Sequence, residues 1–216
     1  MALLPDGRPL LGRYVRLDPI TADDIAALAA IIAEPAVYRS GYTMQLPPSS
    51  PADALAKAAA RHLGVPPPDG HGQGRVGYVV RLVADSALGD AGTVVGTSSL
   101  GEAVLAHERI HLGWTLYHPA VWGTVVNPEA KYLLLRHSFD DLGYGRVKLQ
   151  TDAVNERSQA AIARLGATRE GVLRRHTRRE DGSFRDTVVF SVTADEWPRV
   201  RDGLLARLAA AGRSRG

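Results

Sequence analysis

The chain has 216 residues, 45% hydrophobic and 23% charged, with no cysteine and a formal charge of +3. That length and apolar share suit one domain over residues 1–216 with a sizeable core, and the missing cysteine excludes disulfides, thiolate metal sites and a cysteine nucleophile. No stretch nears the ~20 apolar residues that span a bilayer, and the first twelve residues lack a charged start ahead of an apolar run, so a soluble, cytoplasmic protein is expected.

Residues 13–17 alternate apolar and polar as a strand does, and Thr21 followed by Asp24 opens an alanine-rich helix to Glu34. Residues 38–51 carry Gly, Pro, Ser and the pair Tyr38 and Tyr42, a loop fit to line a substrate opening, before Pro51 starts a helix ending near Leu63. The proline and glycine run at 66–74 sustains neither helix nor strand. Strands are predicted at 76–84, 93–100 and 109–117, the last placing Ile110, Leu112, Trp114 and Leu116 on one face, with turns at 89–92 and 101–103 between antiparallel neighbours. Asn127 is read as the cap of the next helix, Pro128 as its first residue and Gly143 as its stop. A strand at 147–153, a short helix from Asn155 to Gly166, strands at 169–175 and 187–193 and a helix at 195–208 complete the chain.

The chemistry concentrates between Trp122 and Gly171. Trp122-Gly123-Thr124-Val125-Val126-Asn127-Pro128-Glu129-Ala130-Lys131 stands at the head of an apolar helix, whose unsatisfied N–H groups and partial positive charge suit a pyrophosphate. Lys148-Leu149-Gln150-Thr151-Asp152, Asn155-Glu156-Arg157-Ser158, Leu165-Gly166-Ala167 and Glu170-Gly171 follow. Asn155 and Ser158 stand three apart on one helix face; singly, the first reads as a cap and the second as a solvated residue. Together these segments resemble the acetyl-coenzyme A core of the GNAT N-acetyltransferases, nearest the RimJ/RimL type that modifies protein amino-termini. The resemblance covers most of the chain and is most specific from Trp114 to Gly171. The family's loop pattern is Gln or Arg, two residues, Gly, one residue, then Gly or Ala. Gly123 matches it, while Ala120 and Val125 hold the outer positions, and Glu129 adds negative charge near the phosphates.

The resemblance implies a strongly twisted, mixed and mostly antiparallel α/β (α+β) sheet with flanking helices. It implies acetyl-coenzyme A as cosubstrate and no metal. Gly123, Thr124, Val125, Val126, Asn127 and Lys131 would hold the cofactor's phosphate end, and Trp114 and Leu116 would line a split between strands at 114–117 and 149–152. Asn155 would orient the pantetheine amide and Ser158 would protonate the departing thiolate. A backbone N–H near Leu116 would hold the oxyanion. His111 falls where many relatives place a basic glutamate, on the strand face opposite Ile110, Leu112 and Trp114; which face meets the cleft stays open, and His176 is a second candidate base. Tyr38, Tyr42 and Arg175 are expected beside the amine, and Arg174, Arg175, Arg178 and Arg179 either beside an acidic partner, ribosomal RNA or the cofactor's 3′-phosphate or as a solvated basic hairpin. Glu170 reads as structural and Asp186 as a member of an ion pair.

A protein α-amine, with a pKa of about 8, is roughly a tenth free at neutral pH, whereas lysine at about 10.4 is well under a thousandth free, so a site without a clear carboxylate base favours the α-amine. The partner is thus an amine substrate such as a protein amino-terminus; no membrane is expected, nucleic acid enters only through a ribosomal substrate, and homodimers are common among similar proteins. Two alternatives stand beside this reading. A non-catalytic module would bind coenzyme A or a partner without turnover. His107-Glu108-Arg109-Ile110-His111 also matches the zinc-hydrolase pattern, which requires a helix, against the alternation that starts at Arg109.

Overall fold

The computed structural model describes residues 1–41 and 44–213. Eight strands form one open sheet: β1 (Leu10–Leu11), β2 (Val15–Pro19), β3 (Arg75–Leu82), β4 (Val94–Val104), β5 (Arg109–Tyr117), β6 (Arg146–Asp152), β7 (Thr168–Arg178) and β8 (Phe184–Thr193). The spatial order is β1-β2-β3-β4-β5-β6-β8-β7, antiparallel everywhere except β5 against β6. The helices are α1 (Ile25–Ala33), α2 (Pro35–Arg39), α3 (Pro51–His62), α4 (Val126–Arg136), α5 (Glu156–Ala163) and α6 (Trp197–Arg213). This is the mixed, mostly antiparallel α/β sheet with flanking helices expected from the resemblance. No described helix is long and apolar enough to cross a membrane.

Both faces of the sheet are covered, so the central strands bury residues of both parities. Tyr78, Val80, Ile110, Leu112 and Leu149 join Leu133, Leu134, Trp197 and Leu204 of α4 and α6 in the larger core. Val79 and Leu116 face the other way, against Leu28, Ile32 and Ala58 of α1 and α3. Local signals set several boundaries. Thr21 and Asp24 form a capping box, with the Thr21 N–H on Asp24 Oδ2 at 2.9 Å, and Ser50 Oγ caps α3 by accepting the Asp53 N–H at 3.1 Å.

Three sequence expectations are corrected. Residues 101–103 are not a turn: β4 runs on to Val104, and the reversal comes at a 3-10 turn closed by Glu108 in the left-handed region at φ 46°. The loop expected from Tyr38 starts later than that: Tyr38 and Arg39 belong to the separate helix α2, Pro35–Arg39, behind Pro35, which suits a first helical position. The even alternation of β5 also fails. Ser99 faces Gly113 while Thr97 faces Leu116, so β5 holds one extra residue there, and Trp114 at φ 51° is the bulge. The bulge sends Leu116 to the second core and turns Trp114 onto the face of His111, their rings 4.6 Å apart.

Glu129 is also placed differently from expectation. It is 4% exposed and turned away from the helix end, where Oε1 accepts the Arg13 N–H at 2.9 Å and Oε2 accepts those of Tyr14 and Val15 at 2.6 and 2.7 Å. The charge thus locks the β1–β2 turn onto α4, and Gly12 is required there because a Cβ would lie 2.7 Å from Glu129 Cδ. Glu129→Ala strips the acceptor from three backbone donors and should cost about 3 kcal/mol or more of unfolding free energy, read from urea denaturation. Glu129→Gln, which keeps an acceptor oxygen, should lose clearly less.

Candidate active site

Pairing between β5 and β6 is confined to Arg109–Arg146, Ile110–Val147 and His111–Lys148. Beyond it β5 stays with β4 as far as Tyr117, and β6 stays with β8 as far as Asp152, so the two strands diverge like the arms of a V. A cleft of about 480 Å³ opens there. Its walls are Thr115, Leu116 and Tyr117 on β5, the loop from Val121 to Thr124 with the head of α4, and Asn155, Arg157, Ser158, Ala161 and Arg164 along α5. Val37 and Ser40 close one side, and Arg207 reaches in from α6.

The α4 end of the cleft is a backbone donor site. Gly123 turns at φ 76° with open space where a Cβ would stand. The helix begins at Val126 after the N-cap Val125, and Thr124 Oγ1 accepts the Val126 N–H at 3.3 Å. Asn127 is therefore not the cap. It lies inside the first turn with its residue on the cleft wall, because Pro128 tolerates any first-turn position and does not force the helix to start beside it. The N–H groups of Gly123, Val125 and Asn127 make no hydrogen bond to the described residues, which leaves donors and the positive helix end for an anion.

On α5 the expected cap is present: Asn155 Oδ1 accepts the Ser158 N–H at 2.9 Å. Capping uses only the amide oxygen, so the Asn155 NH2 group remains available as a donor beside the cleft. Ser158 Oγ makes no hydrogen bond to the described residues. Gly41 brings the end of α2 against this corner, where its Cβ would lie 2.9 Å from Asn155 Cα.

Behind Thr115 lies a buried cation. Lys131 Nζ donates to Thr115 Oγ1 at 2.6 Å and to Ser98 Oγ at 3.1 Å, and burial lowers its pKa to about 7. It stands beneath the cleft wall, not at the phosphate end where the motif had placed it. Val125 and Val126 are likewise buried beside the loop and do not line the cleft, whereas Leu116, Gly123, Thr124, Asn127, Asn155 and Ser158 do.

Other expected site residues lie elsewhere. Trp114 packs between the His111 ring and the Arg75 guanidinium, 5.0 Å from the latter. His111 is 3% exposed, its pKa lowered first by burial, with Glu102 Oε2 3.3 Å from Nδ1 and out of line for a hydrogen bond. Neither residue lines the cleft. His176 and Arg175 sit on β7, two strands beyond the V at the sheet edge, with His176 Nδ1 3.0 Å from Thr187 Oγ1. Asp186 forms no ion pair among the described residues; it accepts the Arg175 N–H at 2.8 Å, where the backbone turns at φ 49°. Glu170 is structural, bound by both terminal nitrogens of Arg146 and by Ser191 Oγ. Tyr38 is half-buried against α1 and α3, and Tyr42 lies outside the described residues. His107 falls in the 3-10 turn and His111 on β5, so the two do not share the helix face the zinc pattern needs. No group of three or more metal-ligating side chains forms among the described residues.

Sequence reasoning missed Thr115, Arg157, Arg164 and Arg207. The stride of three from Asn155 through Ser158 and Ala161 to Arg164 on one α5 face was a usable signal. For Arg207, which docks from α6, none existed. Burying Lys131 also sets a pH dependence. Its pKa falls from 10.5 in the unfolded chain to about 7, so the unfolded state binds the extra proton between those values. The burden on the wild type therefore grows as pH drops from 10.5 to 7 and is constant below. Relative to wild type, Lys131→Met should gain up to roughly 5 kcal/mol in stability across that descent, measured by denaturation at several pH values.

The acetyltransferase (GNAT) domain family matches residues 15–168. Among solved structures, a protein from T. thermophilus classed as an acetyltransferase is 38% identical, with 96% of this chain and 100% of that chain covered and a TM-score of 0.77. A GCN5-related N-acetyltransferase from Brucella melitensis is 27% identical over 95% of this chain and 87% of the other, with a TM-score of 0.79. Mycobacterium smegmatis RimJ in complex with CoA-disulfide shares the fold at 22% identity, 93% coverage of each chain and a TM-score of 0.63. No curated protein matches the chain significantly. The family match over most of the chain, and a relative at this identity along nearly its whole length, make the protein a member of the GNAT acetyltransferase family and an acyltransferase.

Proposed function

We propose that the protein transfers the acetyl group of acetyl-coenzyme A directly to a primary amine, the α-amine of a protein amino-terminus. The observation that carries this reading is the V between β5 and β6, whose cleft is walled by the β5 edge, by α5 and by a donor-rich helix end. The fit to the cosubstrate follows from the donor set. Unpaired strand backbone suits the amides of a pantetheine arm, the free N–H groups at Gly123, Val125 and Asn127 suit a pyrophosphate, and no carboxylate lines the cleft to repel it. RimJ, solved with CoA-disulfide, has the same fold.

The residues divide the chemistry. Asn155, its oxygen tied in the cap, offers its NH2 group to an amide carbonyl of the pantetheine arm. The substrate amine attacks the thioester carbonyl carbon. The new C–N bond forms, and the carbonyl oxygen takes negative charge that a backbone N–H near Leu116 meets with little reorganisation. As the C–S bond breaks, Ser158 Oγ–H gives its proton to the leaving sulfur, and the proton lost by the amine passes to solvent and restores the serine. Among the described residues no strong base lines the cleft: His111 is sealed under Trp114, and no Asp or Glu is among the lining side chains. An acceptor that is already partly neutral at physiological pH suits such a site, which favours an α-amine over lysine.

Coenzyme A release from acetyl-coenzyme A with peptides bearing either a free amino-terminus or only a free lysine tests the proposal. The first class should react and the second should lag by at least tenfold; equal rates would remove the α-amine assignment. Ser158→Ala should lower kcat about 10- to 100-fold and change acetyl-coenzyme A affinity less than twofold, the range typical of a positioned acid. His111→Gln should leave the pH–rate profile in place, rising with deprotonation of the amine near pH 8. A profile displaced in that variant would make His111 the base.

A further inference from the structure

Three cations converge on the cleft without a carboxylate to balance them. Arg157, Arg164 and Arg207 all line it, no Asp or Glu does, and none of the three makes an ion pair with the described residues. Their crowding is real: the pKa of Arg157 is lowered first by burial and then by the charge of Arg164. Like charges gathered beside a cleft cost stability unless an anion joins them.

The three differ in what else they do. Arg157 lies 3.5 Å over the Trp122 ring and so bridges the α4 loop to α5. Arg164 ends α5, nine residues along from Asn155, roughly 13 Å at the helical rise. Arg207 comes from α6 and donates from Nη1 to the Arg164 backbone carbonyl at 2.9 Å, which spends one guanidinium N–H and ties α6 to the end of α5, where both residues line the cleft. The Asn155 and Ser158 end of α5 belongs to the thioester in the reading above, so the Arg164 end belongs to the opposite extremity of the cosubstrate. That extremity is a nucleotide with a phosphomonoester on its ribose.

We infer that Arg164 and Arg207 form a clamp for the 3′-phosphate of coenzyme A, making the C-terminal helix α6 part of the cofactor site and a determinant of cofactor choice. Paired guanidinium forks match a phosphomonoester, and charge-assisted bonds of this kind are the strong ones. The basic run on β7 is excluded from the role, because β6 and β8 lie between it and the V. The inference rests on the coenzyme A reading and narrows it.

Calorimetric titration of the full chain with coenzyme A and with dephospho-coenzyme A decides it. The wild type should prefer coenzyme A by about tenfold or more, the scale of one charge-assisted contact. Arg207→Gln, at an exposed position on α6, should remove most of that preference while leaving dephospho-coenzyme A affinity within about twofold, and Arg164→Gln should act in the same direction. Arg201→Gln, about one and two-thirds turns earlier on α6 and outside the cleft, should retain the preference. Equal wild-type affinity for the two ligands, or an Arg207→Gln variant that weakens both alike, overturns the clamp while leaving the coenzyme A reading intact. Absence of coenzyme A binding to the wild type overturns both.

Discussion

The parting of β5 from β6 after His111 and Lys148 is the constraint on which the rest of the structure depends. Two parallel neighbours ordinarily continue their ladder, since an unpaired buried N–H or C=O is costly. Here each strand keeps its outer antiparallel partner and abandons the inner one. The bulge at Trp114 supplies the divergence by adding a residue to β5 and bending it. It also requires Gly113, because a Cβ there would sit 2.5 Å from His111 Nε2. The unpaired strand edges that result are a defect in the sheet and the asset of the enzyme: they need a ligand with amides of its own.

Charge is sorted to leave that ligand an electropositive path. Three carboxylates on elements that border the cleft are committed elsewhere. Glu129 is held in a backbone nest, Glu102 pairs with Lys148 at 2.6 Å, and Asp152 pairs with Arg179 at 2.7 Å. Arg157, Arg164 and Arg207, which line the cleft, make no ion pair with the described residues. Lys131 and His111, the two ionisable groups buried behind the V, have their pKa values lowered by burial, which favours their neutral forms. A site arranged in this way offers strong anion binding and no strong base, and it suits a reaction in which the nucleophile arrives already deprotonated.

Much of this was legible in the chain. The alternation of residues 13–17, the capping pairs Thr21–Asp24 and Asn155–Ser158, and the Gly123 turn ahead of an apolar helix each report a local preference, and each element formed. The errors fell where a neighbour distant in sequence overrode the local signal. Alternation placed Trp114 with Ile110 and Leu112, and one inserted residue moved it to the other face. Glu129 lay next to the presumed phosphate site in sequence, yet backbone donors from residues 13–15 drew it away. Arg175 and His176 followed the motif closely in number, but the strand order put β7 at the sheet edge.

What the sequence determined by itself was the set of elements and the family they resemble, because caps, turns and periodicity act over a few residues and leave their mark in composition. What only the tertiary structure decided was which charges meet. Arg207 and Arg164 stand 43 positions apart and meet because α6, packed on α4, carries the Arg207 side chain to the end of α5, and Lys131 reaches from α4 to Ser98 and Thr115 on the sheet. Contacts of that kind depend on how finished elements stack, and stacking is set by the shape of both cores together, which no local window of residues contains.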